Sequence, residues 1–288
     1  MQPITLPTPL VSVDWLAAHL DHPDLVILDA HMAPPGSAAP SAPAQQIPGA
    51  RRFDFDGRIK APDTLLPHML PAPELFSREV QGLGIQQRSL IVVYDRIGLF
   101  SAPRAWWMFR AMGHTQVAVL DGGLPAWQAA GLATTAVADY RGAAGDFVAS
   151  RQPGLFCDAD TVHAALLSGR RPVVDARSSE RFAGLAAEPR AGLRSGHMPG
   201  ALNLPFATLQ QAGHMKPVAE LQQQFADLLG SQTEPIFSCG SGVTACILAL
   251  GAELAGYDQL TVYDGSWSEW GADPARPVVT APGSALAD

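Results

Sequence analysis

The chain has 288 residues, 47% of them hydrophobic and 16% charged, a globular composition that excludes a disordered or fibrous protein. Its net charge of -8 gives no electrostatic reason to bind nucleic acid or an anionic membrane surface. The N-terminal stretch lacks the basic-then-apolar pattern of a signal peptide, and no apolar run is long enough to cross a bilayer. With three cysteines and no secretory signal, we expect a cytoplasmic protein with reduced thiols.

Helices and strands are predicted to alternate from the start of the chain. Ser12 can cap a first helix, and Leu25–Asp29 is an apolar run ending in a carboxylate, as in a buried parallel strand. The same pattern recurs when Asp158 caps a helix and Pro172–Ala176 supplies a strand. The two caps lie 158 − 12 = 146 residues apart, and the aspartates at 175 and 29 are also 146 apart. The spacing indicates an internal duplication.

The duplication continues towards the end of each copy. Asp121-Gly122-Gly123 corresponds to Asp264-Gly265-Ser266, and Trp127 corresponds to Trp270, both at an offset of 143 (264 − 121 and 270 − 127). Alternating helices and strands in both copies predict two α/β domains with mainly parallel sheets flanked by helices. We place the first domain at residues 1–133, an Ala- and Gly-rich linker at 134–152, and the second domain at 153–288.

A cysteine loop between a strand and a helix is the most informative stretch. The apolar run Ile236–Ser238 stops at Cys239, crosses Gly240 and Gly242, and enters an Ala- and Leu-rich helix. Gly240 and Gly242 permit backbone angles closed to other residues, so that consecutive N–H groups can turn towards the Cys239 sulfur. The positive end of the helix dipole would favour a thiolate, and hence a nucleophile. The alternative is a buried structural cysteine.

The first copy has no cysteine in the matching loop, where Tyr94-Asp95-Arg96-Ile97-Gly98 stands. We therefore expect that one copy keeps the nucleophile and the other serves as scaffold. Cys157 and Cys246 are interpreted as structural, and the interval from Cys239 to Cys246 does not suit a metal site.

Other polar residues are weaker candidates from spacing alone. Arg181 and Arg190 share a loop and can hold a carboxylate bidentately, or they can simply pair with neighbouring glutamates. His68 with Asp56 could orient the hydroxyl of Ser241 for proton transfer, although a loop histidine is more often only hydrogen-bonded.

The duplicated copies and the motif Cys239-Gly240-Ser241-Gly242-Val243-Thr244 resemble the tandem-domain rhodanese-like sulfurtransferases. The loop looks like that of the 3-mercaptopyruvate branch, because thiosulfate-preferring members carry bulkier basic residues at the positions of Gly240 and Ser241. The resemblance covers nearly the whole chain, including three further stretches: 68–71, 101–107 and 263–270.

The resemblance implies two tandem rhodanese-like domains and a sulfurtransferase that needs no metal or cofactor. It makes Cys239 the persulfide-forming nucleophile and Arg181 and Arg190 the grips on the substrate. It also implies a proton-handling triad of Asp56, His68 and Ser241, with substrate-binding roles for the loop residues Gly240, Gly242, Val243 and Thr244. The sulfur donor would be 3-mercaptopyruvate, pyruvate would leave, and a thiol such as thioredoxin or glutathione, or cyanide, would accept the sulfur.

Three other functions are weighed. A thiosulfate:cyanide sulfurtransferase is disfavoured by a small loop with no added cation. A cysteine-dependent phosphatase needs an arginine six residues after the cysteine, where this chain has Ala245. A non-catalytic persulfide carrier is disfavoured, without being excluded, by the retained Cys239.

Overall fold

The computed structural model describes residues 4–33 and 44–280. The chain divides into two compact units, each described here by itself. Within the described residues, unit 1 takes in Met1–Pro62, Leu70–Gln152 and Ala212–Met215, and unit 2 takes in Asp63–Met69, Pro153–Gln211 and Lys216–Asp288.

Unit 1 is built on a parallel five-stranded sheet with the strand order β1-β6-β5-β2-β4. The central strands β2 and β5 are buried throughout, which explains their unbroken apolar sequences. Its strands are β1 (Leu10–Val11), β2 (Leu25–Asp29), β3 (Gln45–Gln46), β4 (Arg51–Arg52), β5 (Leu90–Tyr94), β6 (Val117–Leu120), β7 (Thr135–Ala136) and β12 (His214–Met215). Its helices are α1 (Val13–His19), α2 (Pro73–Gly82), α3 (Ala102–Ala111) and α4 (Gly123–Ala129).

Unit 2 is built on a second parallel five-stranded sheet, in the order β10-β9-β13-β14-β8. Its strands are β8 (Phe156–Cys157), β9 (Val173–Asp175), β10 (Leu202–Asn203), β11 (Gln210–Gln211), β13 (Ile236–Ser238) and β14 (Thr261–Tyr263). Its helices are α5 (Ala159–Ser168), α6 (Ser179–Phe182), α7 (Val218–Leu229), α8 (Ala245–Leu254) and α9 (Ser266–Trp270), with a 3-10 helix at Phe206–Leu209.

The two sheets have the same topology when they are read from the first strand of each copy. Strands β8, β14, β13, β9 and β10 of unit 2 correspond in order to β1, β6, β5, β2 and β4 of unit 1. The predicted α/β duplication with parallel sheets is therefore confirmed. The predicted caps Ser12 and Asp158 also accept hydrogen bonds at the start of α1 and α5.

Segment 134–152, which the sequence analysis interprets as a linker, belongs to unit 1. Its strand β7 pairs antiparallel with β3, and Phe147 is fully buried against Phe76 and Phe109. The exact domain boundaries remain a prediction. None of the described helices is both long and apolar enough to span a membrane.

Candidate active site

The cysteine loop lies at the carboxyl end of β13, the middle strand of the unit 2 sheet, where ligands of parallel sheets bind. Cys239 is the first residue after the strand and is only 2% exposed. Thr244 precedes α8, which begins at Ala245, so the loop ends at the positive end of a ten-residue helix. Burial and the helix dipole both act on the sulfur of this one residue.

Helix α9 fixes the direction of the loop carbonyls. The backbone N–H groups of Trp267 and Ser268 donate to the carbonyls of Cys239 and Gly240, each at 2.9 Å. The described chain contains no cis peptide bond, so the N–H of each following residue points away from α9. The amides of Gly240 and Ser241 therefore face the other side of the loop.

The loop N–H groups form a set of hydrogen-bond donors beside Cys239. Among the described residues, none accepts a hydrogen bond from the N–H groups of Gly240, Ser241, Val243 or Thr244. We call these four donors the 240–244 cradle. Buried or half-buried N–H groups normally find a partner, and several that converge beside a helix N-terminus suit an anion. A charged sulfur carried on Cys239 is such an anion.

The two glycines of the loop have different reasons to be glycine. Gly242 has φ +74°, in the left-handed region, as expected. Gly240 does not use this conformational freedom, because its φ is not positive. A Cβ at position 240 would instead lie 3.2 Å from Nη2 of Arg181, which is tighter than ordinary contact. Gly240 therefore leaves room for a guanidinium over the loop.

Ser266 is a site residue that the sequence analysis missed. It is fully buried with φ +51°, a strained backbone for a serine, and its Oγ accepts the Cys239 N–H at 3.1 Å. The same Oγ lies 3.9 Å from the Cys239 sulfur and donates to the carbonyl of Tyr263 at 2.8 Å. The sequence carried a signal, because the matching residue of the first copy is Gly123, which has φ +55°.

Arg181 is held at the end of α6 by a buried carboxylate. Its Nε donates to Oε1 of Glu188 at 3.2 Å and its Nη2 donates to Oε2. The same Oε1 accepts Nη1 of Arg177 at 2.7 Å, and Arg177 binds Asp175 through two nitrogens. The structure thus contains the glutamate pairing that the sequence analysis kept as an alternative. It also pairs Arg177 with a local acid, Asp175.

Arg190 and His68 meet within unit 2, where Nη2 of Arg190 lies 3.2 Å from Nε2 of His68. Arginine has only donors, so Nε2 of His68 accepts, and a neutral ring carries its proton on Nδ1. His68 is 3% exposed with φ +62°, another strained position. Ser241 also lies in unit 2 and is 7% exposed, whereas Asp56 lies on an exposed turn of unit 1. The triad of Asp56, His68 and Ser241 stays a prediction.

The other two cysteines are placed differently from Cys239. Cys246 is buried inside α8 and its sulfur donates to the carbonyl of Gly242 at 3.4 Å. Burial raises the pKa of the Cys157 thiol to about 12, so this thiol is protonated at neutral pH. In the described part of the chain, no group of three or more His, Cys, Asp or Glu side chains is arranged to hold a metal ion.

Comparison with known proteins agrees with this geometry. The family model of the rhodanese-like domain matches residues 12–130 and again residues 158–273. The chain belongs to the rhodanese-like family. It contains two rhodanese-like domains in tandem, and the two matches coincide with the two copies read from the sequence.

Two relatives and one solved structure extend the family assignment. The Escherichia coli 3-mercaptopyruvate sulfurtransferase is 41% identical over 273 residues, covering 93% of this chain and 96% of the relative. The Arabidopsis thaliana mitochondrial thiosulfate/3-mercaptopyruvate sulfurtransferase 1 is 42% identical over 295 residues, covering 94% and 78%. The crystal structure of SseA from Escherichia coli superposes with a TM-score of 0.81 at 38% identity, covering 90% of this chain and 99% of that one. These similarities confirm the family resemblance drawn from the loop.

Proposed function

We propose that this protein is a 3-mercaptopyruvate sulfurtransferase that carries sulfur as a persulfide on Cys239. The observation that carries the proposal is the 240–244 cradle, a set of N–H donors next to a buried cysteine and without a partner among the described residues. A thiolate and a persulfide both need such donors to hold negative charge out of water. The names of the relatives at about 40% identity support the same donor.

The first half-reaction breaks the carbon–sulfur bond of the donor. The Cys239 thiolate attacks the sulfur of 3-mercaptopyruvate, a sulfur–sulfur bond forms, and the electron pair of the carbon–sulfur bond stays on carbon as the enolate of pyruvate. Addition of one proton gives pyruvate. In the second half-reaction an acceptor thiolate or cyanide takes the outer sulfur and Cys239 is restored as a thiolate. Ping-pong kinetics follow.

The donor carboxylate and keto oxygen are held by Arg181 and Arg190. Glu188 occupies the Nε and Nη2 nitrogens of Arg181, and Nη1 makes no hydrogen bond with a described residue. Its Nη2 also lies over Gly240, beside the nucleophile. Gly242, Val243 and Thr244 complete the binding loop through their backbone.

The proton for the enolate is assigned to Ser241, relayed by His68 and oriented by Asp56. Because Nε2 of His68 accepts from Arg190, the relay uses the proton on Nδ1. If Ser241→Ala and His68→Ala both keep full turnover with mercaptopyruvate, the relay is wrong. A matched control is Ser179→Ala, an exposed serine on α6 whose hydroxyl meets Asn203 at 3.0 Å.

The physiological acceptor belongs to the class of thiols, such as thioredoxin or glutathione, or is cyanide. We propose a cytoplasmic location because a reducing compartment keeps the three cysteines as thiols. The net charge of -8 gives no reason to propose a nucleic acid or membrane partner. We also propose domain boundaries at residues 1–133 and 153–288 around the segment 134–152.

The deciding experiment measures release of pyruvate and sulfur from 3-mercaptopyruvate and, separately, release of sulfite and sulfur from thiosulfate. Wild type, Cys239→Ser and the matched control Cys157→Ser are compared with a dithiol and with cyanide as acceptors. We expect Cys239→Ser to lose all turnover, Cys157→Ser to retain it, and kcat/KM to be much larger for mercaptopyruvate. After treatment with the donor, intact-mass measurement should find one extra sulfur atom on the wild type and on Cys157→Ser, and none on Cys239→Ser.

The same assay separates the alternatives. The name of the Arabidopsis relative joins thiosulfate to mercaptopyruvate, so a thiosulfate preference would reassign the donor and keep the nucleophile. Absence of turnover with both donors, from a folded protein, would overturn the enzyme and leave a persulfide carrier.

A further inference from the structure

Glu188 has a buried carboxylate beside the proposed donor site. The proposed reaction does not use this carboxylate. Its side chain is 1% exposed, and its two oxygens accept hydrogen bonds from Arg177 and Arg181. A buried carboxylate persists only when it is paired in this way. Glu188 therefore carries a full negative charge one guanidinium away from the cysteine loop.

Glu188 is anchored to the core through Arg177 and is not free to swing away when a donor binds. Arg177 is fully buried, donates to Asp175 and to the carbonyl of Gly196 at 2.8 Å, and lies 4.1 Å from the ring centroid of Trp267. Burial alone would lower the pKa of Arg177, but the carboxylates of Asp175 and Glu188 raise it above its ordinary value. Arg177 therefore stays a guanidinium despite its burial, and holds Glu188 in place through their hydrogen bond.

The charges of this group cancel. Two guanidinium groups, Arg177 and Arg181, face two carboxylates, Asp175 and Glu188. Arg190 contributes one further positive charge. Its partner His68 accepts a hydrogen bond from it and adds no charge in its neutral form. A donor with one negative charge balances this arrangement, whereas a dianion leaves an excess charge near a buried carboxylate.

We propose that Glu188 is a specificity-determining residue that selects donors with a single negative charge over dianions. This inference rests on the proposed function and names the reason for its donor preference. Mercaptopyruvate carries one carboxylate, and thiosulfate carries two negative charges. Glu188 neutralises Arg181 electrostatically and leaves its Nη1 available for hydrogen bonds to the donor carboxylate.

The test is the ratio of kcat/KM for thiosulfate to kcat/KM for mercaptopyruvate in Glu188→Gln. Glutamine keeps the shape and removes the charge, and the ratio is independent of the fraction of active protein. We expect the ratio to rise roughly tenfold, as removal of a like-charge repulsion requires. The matched control is Glu180→Gln, which makes the same charge change at an exposed position of α6 and should leave the ratio unchanged. An unchanged ratio in an active Glu188→Gln enzyme overturns the inference.

A second measurement needs no variant, in case Glu188→Gln does not fold. Methanesulfonate and sulfate are tetrahedral anions of similar size that differ by one charge. Each is tested as a competitive inhibitor of the mercaptopyruvate reaction of the wild-type enzyme. We expect methanesulfonate to compete more strongly, and sulfate competing equally or better would overturn the inference. Failure of the proposed function is recognised separately, because the wild type would then transfer sulfur from neither donor.

Discussion

Both copies have a loop after the middle strand of the sheet, with Asp95 at its start in unit 1 and Cys239 in unit 2. In unit 1 the N–H of Leu124 donates to the carbonyl of Asp95 at 2.9 Å, as the N–H of Trp267 donates to the carbonyl of Cys239 in unit 2. Asp95 is thus the counterpart of the cysteine, at the end of the corresponding middle strand β5. Both residues are buried.

The cradle of unit 1 is filled by its own side chain. The carboxylate of Asp95 accepts the N–H groups of four residues, at 2.7 to 3.1 Å, namely Ile97, Phe100, Ser101 and Ala102. In unit 2 the N–H groups of Ser241 and Thr244, which correspond to those of Ile97 and Phe100, have no acceptor among the described residues. The comparison teaches that the fold provides an anion site in both copies. One copy supplies the anion from its own sequence, and in the other the proposed function assigns that place to the sulfur carried on Cys239.

Cys239→Asp copies the first loop into the second and should abolish sulfur transfer from both donors. The Asp carboxylate can accept charge-assisted hydrogen bonds from the cradle N–H groups, whereas the amide of Cys239→Asn is neutral. We therefore expect the free energy of unfolding to be higher for Cys239→Asp than for Cys239→Asn by about 1.5–3 kcal/mol. Urea unfolding at neutral pH measures the difference. A less stable Asp variant would show that the two cradles are not equivalent.

Asp95→Asn removes the built-in anion and should lower the free energy of unfolding by about 2–4 kcal/mol, because buried N–H groups lose a charged acceptor. Asp54→Asn is the matched control in the same unit, since its 30% exposed side chain also accepts two backbone N–H groups, from Gly57 and Arg58. Chemical denaturation compares the two. Equal losses would mean that the Asp95 bonds carry no special weight.

Ser266→Ala and Ser266→Gly test the strained residue that is glycine in the other copy. Both variants lose the hydrogen bond to the Cys239 N–H, so we expect kcat/KM to fall about tenfold in each, the equivalent of about 1.4 kcal/mol. Only glycine relieves the positive φ, so Ser266→Gly should be more stable than Ser266→Ala by about 1 kcal/mol. Wild-type kcat/KM in either variant would remove Ser266 from the site.

The smallest expected effect is a pH dependence shared by both copies. Burial lowers the pKa of His114 in unit 1 and of His197 in unit 2 below the ordinary 6.5. Below that pH the unfolded chain binds protons that the folded chain does not, so the free energy of unfolding falls as pH drops. We expect a loss of about 1 kcal/mol per histidine between neutral pH and about pH 5.5. Denaturation at several pH values checks it, and His114→Gln should show a shallower dependence than the wild type.

Sequence patterns predicted the fold because the duplication supplied each element twice. The apolar runs Leu25–Asp29 and Leu90–Tyr94 are buried at every residue, and burial on both faces is what an unbroken apolar run implies. The cysteine loop was also recognisable from local sequence, since a strand, two glycines and the start of a helix lie within a few residues of each other. Local rules of this kind need no knowledge of tertiary contacts.

Contacts between distant segments were not predictable. Gly240 is explained by the guanidinium of Arg181, 59 residues earlier in the chain (240 − 181), and Ser266 reaches Cys239 across 27 residues. Glu188 is adjacent to the predicted arginines, but its double pairing depends on how the loop folds back on Arg177. Asp95 was visible in the sequence as the residue opposite the cysteine. Its role required the four hydrogen bonds that only the structure supplies.

The assignment of residues 63–69 to unit 2 has a consequence for the ancestry and the engineering of this chain. Although Cys239 lies in the later copy, His68 comes from sequence that precedes it by more than half of the polypeptide. A fragment beginning at residue 153 would keep Cys239 and Arg190 but leave that arginine without its imidazole partner. We therefore expect a fragment that begins at residue 153 to lack part of the site. Because unit 2 includes residues 63–69 of the earlier copy, deleting the earlier copy would also remove part of unit 2.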